Sequence, residues 1–329
     1  MTAQSRFSAP PAASLQSRLK GFWQHGDRLY QASLLLASLL VLMLVAGIGY
    51  ELWQNSTLSR QTFGWKFIVT AEWDPALNEV FGALPFILGT LTTSVIALLV
   101  AIPLGLGTAL FLAELAPNWL RQPLGFLVEL LAAVPSVVYG LWGLFVYIPN
   151  FVRPLAEGLN HTFGFLPLFA GPVFGPSRLA AGLLLAIMVF PTITAVSRDV
   201  FLAIPNSQRE AALALGSTRW ETIWQVLIPY GLSGLLGAVI LGLGRALGET
   251  IAVTMVIGNN LDLSASLLHP GYTMASIIAN EFTEATFDLY QHALIETGLI
   301  LFVITLLINL IARLLIWRVA RRLSAEARS

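Results

Sequence analysis

The stretch IPNSQREAALALGSTRWETIWQVLIP, Ile204 to Pro229, stands between two long apolar runs, Leu179 to Ser197 and Pro229 to Gly258. Ser207 followed three residues later by Glu210 is a capping-box pattern, which predicts a short helix beginning there. Gly216, which lacks a Cβ and tolerates the left-handed region, predicts its end. Thr218 and Glu221 repeat the capping pattern and open a second helix through Ile223, Val226 and Leu227 toward Pro229. The product is a helix, a tight turn and a second helix. Ala211 and Ala212 put small side chains beside Glu210, a shape that a partner's groove accepts. An amphipathic hairpin lying on lipid accounts for the same spacing.

Outward from this hairpin the chain is apolar in blocks. Of its 329 residues 56% are hydrophobic and 11% charged, and the mean hydropathy is +0.76. Soluble domains carry charge on about a quarter of their residues, so the surface that stabilises these blocks is lipid. Runs long enough for a bilayer predict six membrane helices, near residues 31–52, 83–113, 124–149, 179–197, 229–258 and 294–317. The first run, Ala32 to Tyr50, ends without a small-residue cleavage pattern and reads as a retained helix, not a signal peptide. The fold class is therefore an all-α polytopic membrane protein whose connection 198–228 contains the hairpin.

Charge asymmetry sets the predicted orientation. Of 18 Lys and Arg residues, those of the tail 1–30 (Arg6, Arg18, Lys20, Arg28), Arg121, Arg198, Arg209, Arg219 and those after span six (Arg313, Arg318, Arg321, Arg322, Arg328) fall on one side. Arg60, Lys66, Arg153 and Arg178 fall on the other, where the segment Asn259–Ala293 carries Asp262, Glu281, Glu284 and Asp288 but no Lys or Arg. The first side is cytoplasmic by the positive-inside rule, so both termini, including the tail 318–329, and the hairpin are expected there.

Several function classes are disfavoured. Eighteen basic residues balance eighteen acidic ones without forming a stripe, which argues against a nucleic-acid partner. Cysteine is absent and the four histidines are isolated, so neither a disulfide framework nor a metal site is expected. The two lysines, Lys20 and Lys66, lie outside any phosphate-wrapping glycine loop, so the chain is not expected to hydrolyse ATP or to hold a cofactor itself.

Within the spans, Pro103, Pro135 and Pro191 predict kinks, which fit either ordinary packing or helices lining a pathway. Span five is dense in glycine, at Gly231, Gly234, Gly237, Gly242, Gly244 and Gly248. Arg245 lies sixteen residues past Pro229, roughly 24 Å into a core about 30 Å thick, where a guanidinium must face protein or water. Glu249, one turn on, is placed to pair with it, and Ala238, Gly242, Gly248 and Ala252 leave room on that stripe. The two charges are either an ion pair gluing helices together or a pathway arginine, whose donor fork suits a tetrahedral oxyanion, with Glu249 neutralising it between passages. Ser136 and Tyr139 are further candidate hydroxyl donors, or bond to neighbouring backbone. Glu129 and Asn309 read as buried polar contacts, and Glu114 as a span-end carboxylate that water reaches.

Glu210-Ala211-Ala212, three residues, Gly216, nine residues, then Val226-Leu227-Ile228-Pro229 resembles the EAA loop of ATP-binding-cassette importer permeases; Val226 and Ile228 depart conservatively from that pattern. Leu131–Gly143, Phe190–Ile223 and Gly244–Asn259 are similar to the matching segments of phosphate-importer permeases of the PstC type. The resemblance spans Phe81 to Trp317. It implies a type I importer permease with its core at 81–317 and a coupling helix at Glu210, Ala211, Ala212 and Gly216 that inserts into a cleft of an ATPase.

It further implies the membrane-spanning subunit of an ATP-driven phosphate importer in a bacterial inner membrane. Its implied partners are a second, related permease chain, two copies of an ATPase holding ATP and Mg, and an extracytoplasmic phosphate-binding protein. Arg245 and Glu249 are the implied pathway residues. The alternatives are a permease for sulfate or molybdate, which would share the loop, and an ion-coupled secondary transporter or channel, which would not need it. A membrane anchor or scaffold leaves the buried Arg/Glu pair without a role.

Overall fold

The computed structural model describes the backbone of residues 15–326 and the side chains of residues 30–318. Much of the two tails, with the side chains of Arg6, Arg18, Lys20, Arg28, Arg321, Arg322 and Arg328, lies outside these described residues. The chain divides into two compact units, Met1–Glu51 and Leu52–Ser329.

In chain order the helices are α1 (Leu15–Asn55), α2 (Thr57–Phe63), α3 (Lys66–Val69), α4 (Leu84–Leu110), α5 (Asn118–Ala133), α6 (Ser136–Trp142), α7 (Arg153–Phe163), α8 (Arg178–Ala203), α9 (Asn206–Ala214), α10 (Arg219–Thr222), α11 (Ile228–Gly248), α12 (Ile251–Val256), α13 (Met274–Glu281) and α14 (Asp288–Glu326). Wide π-helical turns occupy Phe111–Leu115, Gly143–Val152 and Ile223–Leu227. The last two adjoin or contain Pro149 and Pro229, where a wider turn accommodates the missing N–H and the ring. One antiparallel ladder, β1 (Trp73–Asp74) with β2 (Val80–Phe81), interrupts the helices. Asp74 caps its turn by accepting from the N–H groups of Leu77 and Ala76, which hold the carboxyl below the ordinary aspartate range.

Five described helices are long and apolar enough to cross a bilayer, and six spans result if one sharply bent pair counts as a single crossing. In the first unit, the apolar side chains of α1 from Leu34 to Ile48 are exposed, as a lipid-facing span requires. In the second unit, α4 and α8 form the central pair. Gly105 and Gly182 let them touch: a Cβ on Gly182 would lie 2.7 Å from Ile96 Cβ, and one on Gly105 would lie 2.9 Å from Ile193 Cγ2. Those two contacts order the helices side by side in the same direction. Pro103 and Pro191 sit inside these helices without breaking them. Around the pair, Leu184, Leu185, Met188, Val189 and Ile193 pack with Val253 and Val256 into the main core.

The two ends of the bundle differ. At the end where α8 begins, Arg178 is 5% exposed and donates to the carbonyls of Ser264 and Ser266, fastening the segment after α12 onto that helix. Beside it Phe67, Trp73, Phe81, Phe86, Tyr272 and Tyr290 make an aromatic cluster, with Glu281 accepting from Trp73 Nε1 and the Tyr290 hydroxyl. At the opposite end, where α8 stops, α9 and α10 form the hairpin.

The run 124–149 does not make a single helix. It is divided between α5 and the helical stretch Ser136–Phe163, which meet at 91°. Pro135 holds Val134 in an extended conformation and cannot donate to α5, so the expected kink becomes a corner.

Candidate functional site

Two interrupted helices meet around Arg245. α11 ends at Gly248, Glu249 is extended (φ −70°, ψ 125°), and α12 starts afresh at Ile251. The i, i+4 spacing that predicts an Arg245–Glu249 pair presupposes one continuous helix, and across this break the pair does not form. Arg245 Nη1 instead donates to Thr192 Oγ1 of α8 at 3.1 Å. Glu249 Oε1 accepts from the Ala252 N–H in the first turn of α12 at 3.3 Å. Each charge thus sits at the helix end of complementary sign, the cation in the last turn of α11 and the carboxylate at the start of α12.

The second break, Val134–Pro135, lies alongside. α6 packs against α12 so closely that a Cβ on Gly140 would lie 2.5 Å from Met255 Sδ. Tyr139 is buried, and its hydroxyl donates at 2.9 Å to the carbonyl of Leu131 in the last turn of α5, which also accepts from the Val134 N–H. Arg245 lies near enough to Tyr139 for a Coulombic interaction. Ser136 is half-buried at the first position of α6. The structure therefore brings Arg245, Glu249, Ser136 and Tyr139 into one region where two half-helices end. Tyr139 takes the backbone-bonding role that was its alternative.

Space around Arg245 is arranged differently from the expected stripe. Ala238 and Ala252 are fully buried, and a Cβ on Gly242 would lie 2.9 Å from both Ile193 Cγ1 and Val189 Cγ1, so these positions serve packing. A Cβ added at Gly237, Gly244 or Gly248 would meet nothing within 4 Å, so the open face of α11 runs along them and past Arg245. Broken backbone at membrane depth is tolerated where it is buried in protein or lines a polar cavity. A region of this kind can hold an anion through the guanidinium fork without a rigid cage.

At the other candidate site the hairpin forms largely as expected, with one correction at its start. α9 begins at Asn206 directly after Pro205, and no side chain caps it. Pro205 fixes the entry, so Ser207 falls inside the first turn and its capping box with Glu210 is not made. The end is as read: Gly216 has φ +90°, with the Ser217 N–H bonded to the Ala212 carbonyl at 3.2 Å and the Gly216 N–H to the Leu213 carbonyl at 3.0 Å. The Thr218–Glu221 box is complete in both directions. Glu210 and Ala211 face outward, whereas Ala212 turns inward at 8% exposure. Leu215, Trp220 and Trp224 add exposed apolar surface to the same hairpin.

Other polar residues have partners that spacing does not reveal. Asn309 is half-buried, not buried, and bonds to the Thr305 carbonyl of its own helix. Glu129 is not buried: it reaches across from α5 to Arg198 of α8 at 3.1 Å. Glu114 is not left to water but is held by Arg209 of α9 at 2.6 Å. Sequence spacing does not single out Thr192 or Arg209; their only signals are a hydroxyl beside Pro191 and an arginine immediately before Glu210.

The described helices are thus membrane-length, interrupted beside Arg245 and Glu249, and carry an exposed hairpin at one end, the architecture of a membrane-spanning permease. Residues 101–325 match the family described as the binding-protein-dependent transport system inner membrane component, and the chain belongs to that family. It is 48% identical over 303 residues to a phosphate transport system permease protein of Mesorhizobium japonicum, covering 91% of this chain and 92% of that one. It is 48% identical to the Pasteurella multocida protein of the same name, covering 87% and 90%. The Haemophilus influenzae protein of that name is 47% identical, with 88% and 93% covered. Among solved structures, a bacterial alginate ABC transporter matches with a TM-score of 0.54 at 19% identity, covering 88% of this chain and 95% of that chain. The inward-facing MetNI methionine ABC transporter matches with a TM-score of 0.52 at 18% identity, covering 71% and 94%. The fold is that of type I ABC importer permeases.

Proposed function

We propose that this chain is the membrane-spanning permease subunit of an ATP-driven inorganic phosphate importer and forms half of its translocation pathway. The observation that carries the reading is identity near one half, over about nine-tenths of the chain, to permeases named for phosphate transport. It assembles with a second, related permease, with two copies of an ATPase that supplies the ATP and Mg chemistry, and with an extracytoplasmic phosphate-binding protein. The open glycine face of α11 supports a second permease packing beside Arg245. Both termini and the hairpin face the cytoplasm of a bacterial inner membrane, in keeping with the Lys and Arg distribution.

The ATPases dock at Glu210, Ala211 and the Gly216 turn, with Ala212 as the inward support of that helix. Closure of the ATPases moves the hairpins and turns the bundle toward the binding protein. Phosphate released there meets Arg245, held at its hydroxyl partner Thr192, while Glu249 remains near as a fixed negative group. A single guanidinium on an open face replaces part of the anion's hydration and still lets it leave, as conduction requires. Reconstitution of the chain with its partner permease, ATPase and binding protein in vesicles tests this: labelled phosphate should accumulate with ATP and labelled sulfate should not. Accumulation of sulfate in preference to phosphate overturns the substrate assignment, and accumulation without ATP or ATPase points to a secondary transporter.

A further inference from the structure

Behind the exposed face of the hairpin, one side chain ties it to two spans. Arg209 stands next to Glu210 on α9, and its guanidinium is engaged on every nitrogen. Nε contacts Glu114 Oε1 and Oε2 at 3.1 Å and 3.2 Å, and Nη2 contacts Oε1 at 2.6 Å. Glu114 lies on the π-helical turn that follows α4. Nη2 also donates to the Phe201 carbonyl at 2.7 Å and Nη1 to the Ile204 carbonyl at 2.5 Å, at the C-terminal end of α8. Nη1 further reaches Asn206 Oδ1 at 3.4 Å, in the first turn of α9 itself.

Exposed ion pairs contribute little because water and salt screen them. This pair is different in burial and geometry: the two side chains are 18% and 15% exposed, and the fork meets both carboxylate oxygens. Its position also matters. The end of α8 passes to α9 through Ile204 and Pro205 alone, a link that would otherwise let the hairpin swing. With Arg209 in place, a displacement of α9 bears on the ends of α4 and α8 together. These two helices are in contact at Gly105 and Gly182, and α8 carries Thr192, which holds Arg245.

We propose that Arg209 and Glu114 are a positioning pair that converts movement of the coupling hairpin into movement of the α4–α8 pair and, through Thr192, of Arg245. This rests on the docking role of the hairpin given above. Docking itself does not need the pair, because the Gly216 turn and the Thr218–Glu221 box are made without Arg209 or Glu114. Loss of the pair therefore leaves an ATPase bound but poorly connected to the pathway.

The test is a double-mutant cycle in the full transporter, with Arg209→Gln, Glu114→Gln, the double variant and Arg209→Lys. Three quantities are read: ATPase co-purification, phosphate uptake, and phosphate moved per ATP hydrolysed. Each single glutamine variant should retain the ATPase, lose at least tenfold in uptake and move less phosphate per ATP. The double variant should be no worse than the weaker single, and Arg209→Lys, which keeps the charge but not the fork, should fall between. Uptake within twofold of wild type in the singles, multiplicative losses in the double, or loss of the ATPase from the singles would overturn the proposal. Absence of the ATPase from the wild-type complex would instead overturn the docking reading beneath it.

Discussion

Arg245 is legible in the sequence because a charge far inside an apolar run has few bland explanations. Its partner is not legible. Spacing alone assigns Glu249, but the helix ends at Gly248, and in a segment carrying six glycines no single one announces the break. The partner that the fold supplies, Thr192, comes from a helix 53 positions away in the chain. Thr192→Val keeps the shape and removes the hydroxyl, and a hydrogen bond to a charged group is worth about 1.5–3 kcal/mol when it is buried. At this half-buried position the smaller end applies, on the order of tenfold in phosphate uptake with normal insertion. Uptake by Thr192→Val equal to wild type would show that the hydroxyl does not hold Arg245 in the working transporter.

Among the elements, the hairpin is legible in its turn and second helix but not at its start. Gly216 and the Thr218–Glu221 box act through neighbours three to five residues away, so local sequence specifies them. The start of α9 depends on where α8 releases the chain, and Pro205 decides that two residues ahead of the Ser207 pattern. The corner at Pro135 shows the same limit: proline predicts an interruption but not its 91° angle, nor that α6 beyond it packs on α12. Gly216→Pro removes the N–H bonded to Leu213 and cannot adopt φ +90°, so it should unlock the turn and strip the ATPase from a permease that still inserts. Glu210→Lys, which reverses an exposed charge, should lose the ATPase without disturbing the turn. Full ATPase co-purification and transport in both variants would contradict docking at this surface.

At the scale of the whole molecule, hydropathy sets the number of crossings because the bilayer fixes how long an apolar run must be. The aromatic cluster around Trp73 and Tyr290 and the seating of Arg178 on Ser264 and Ser266 carry no comparable signal, since they join segments far apart in the chain. Orientation is open to a direct check because the chain has no cysteine. Single cysteines placed at the exposed positions Leu215 and Asp262 should label oppositely with a membrane-impermeant maleimide. Asp262→Cys should react in intact cells and Leu215→Cys only after permeabilisation; the reverse would invert the topology. The central claim, that phosphate crosses past Arg245, is tested most directly by labelled phosphate uptake in cells lacking this chain and complemented with wild type or Arg245→Gln. Wild type should restore phosphate uptake but not sulfate uptake, and Arg245→Gln, inserted at equal level with its ATPase bound, should fall at least tenfold short. Wild-type uptake rates in the Arg245→Gln strain would contradict the account.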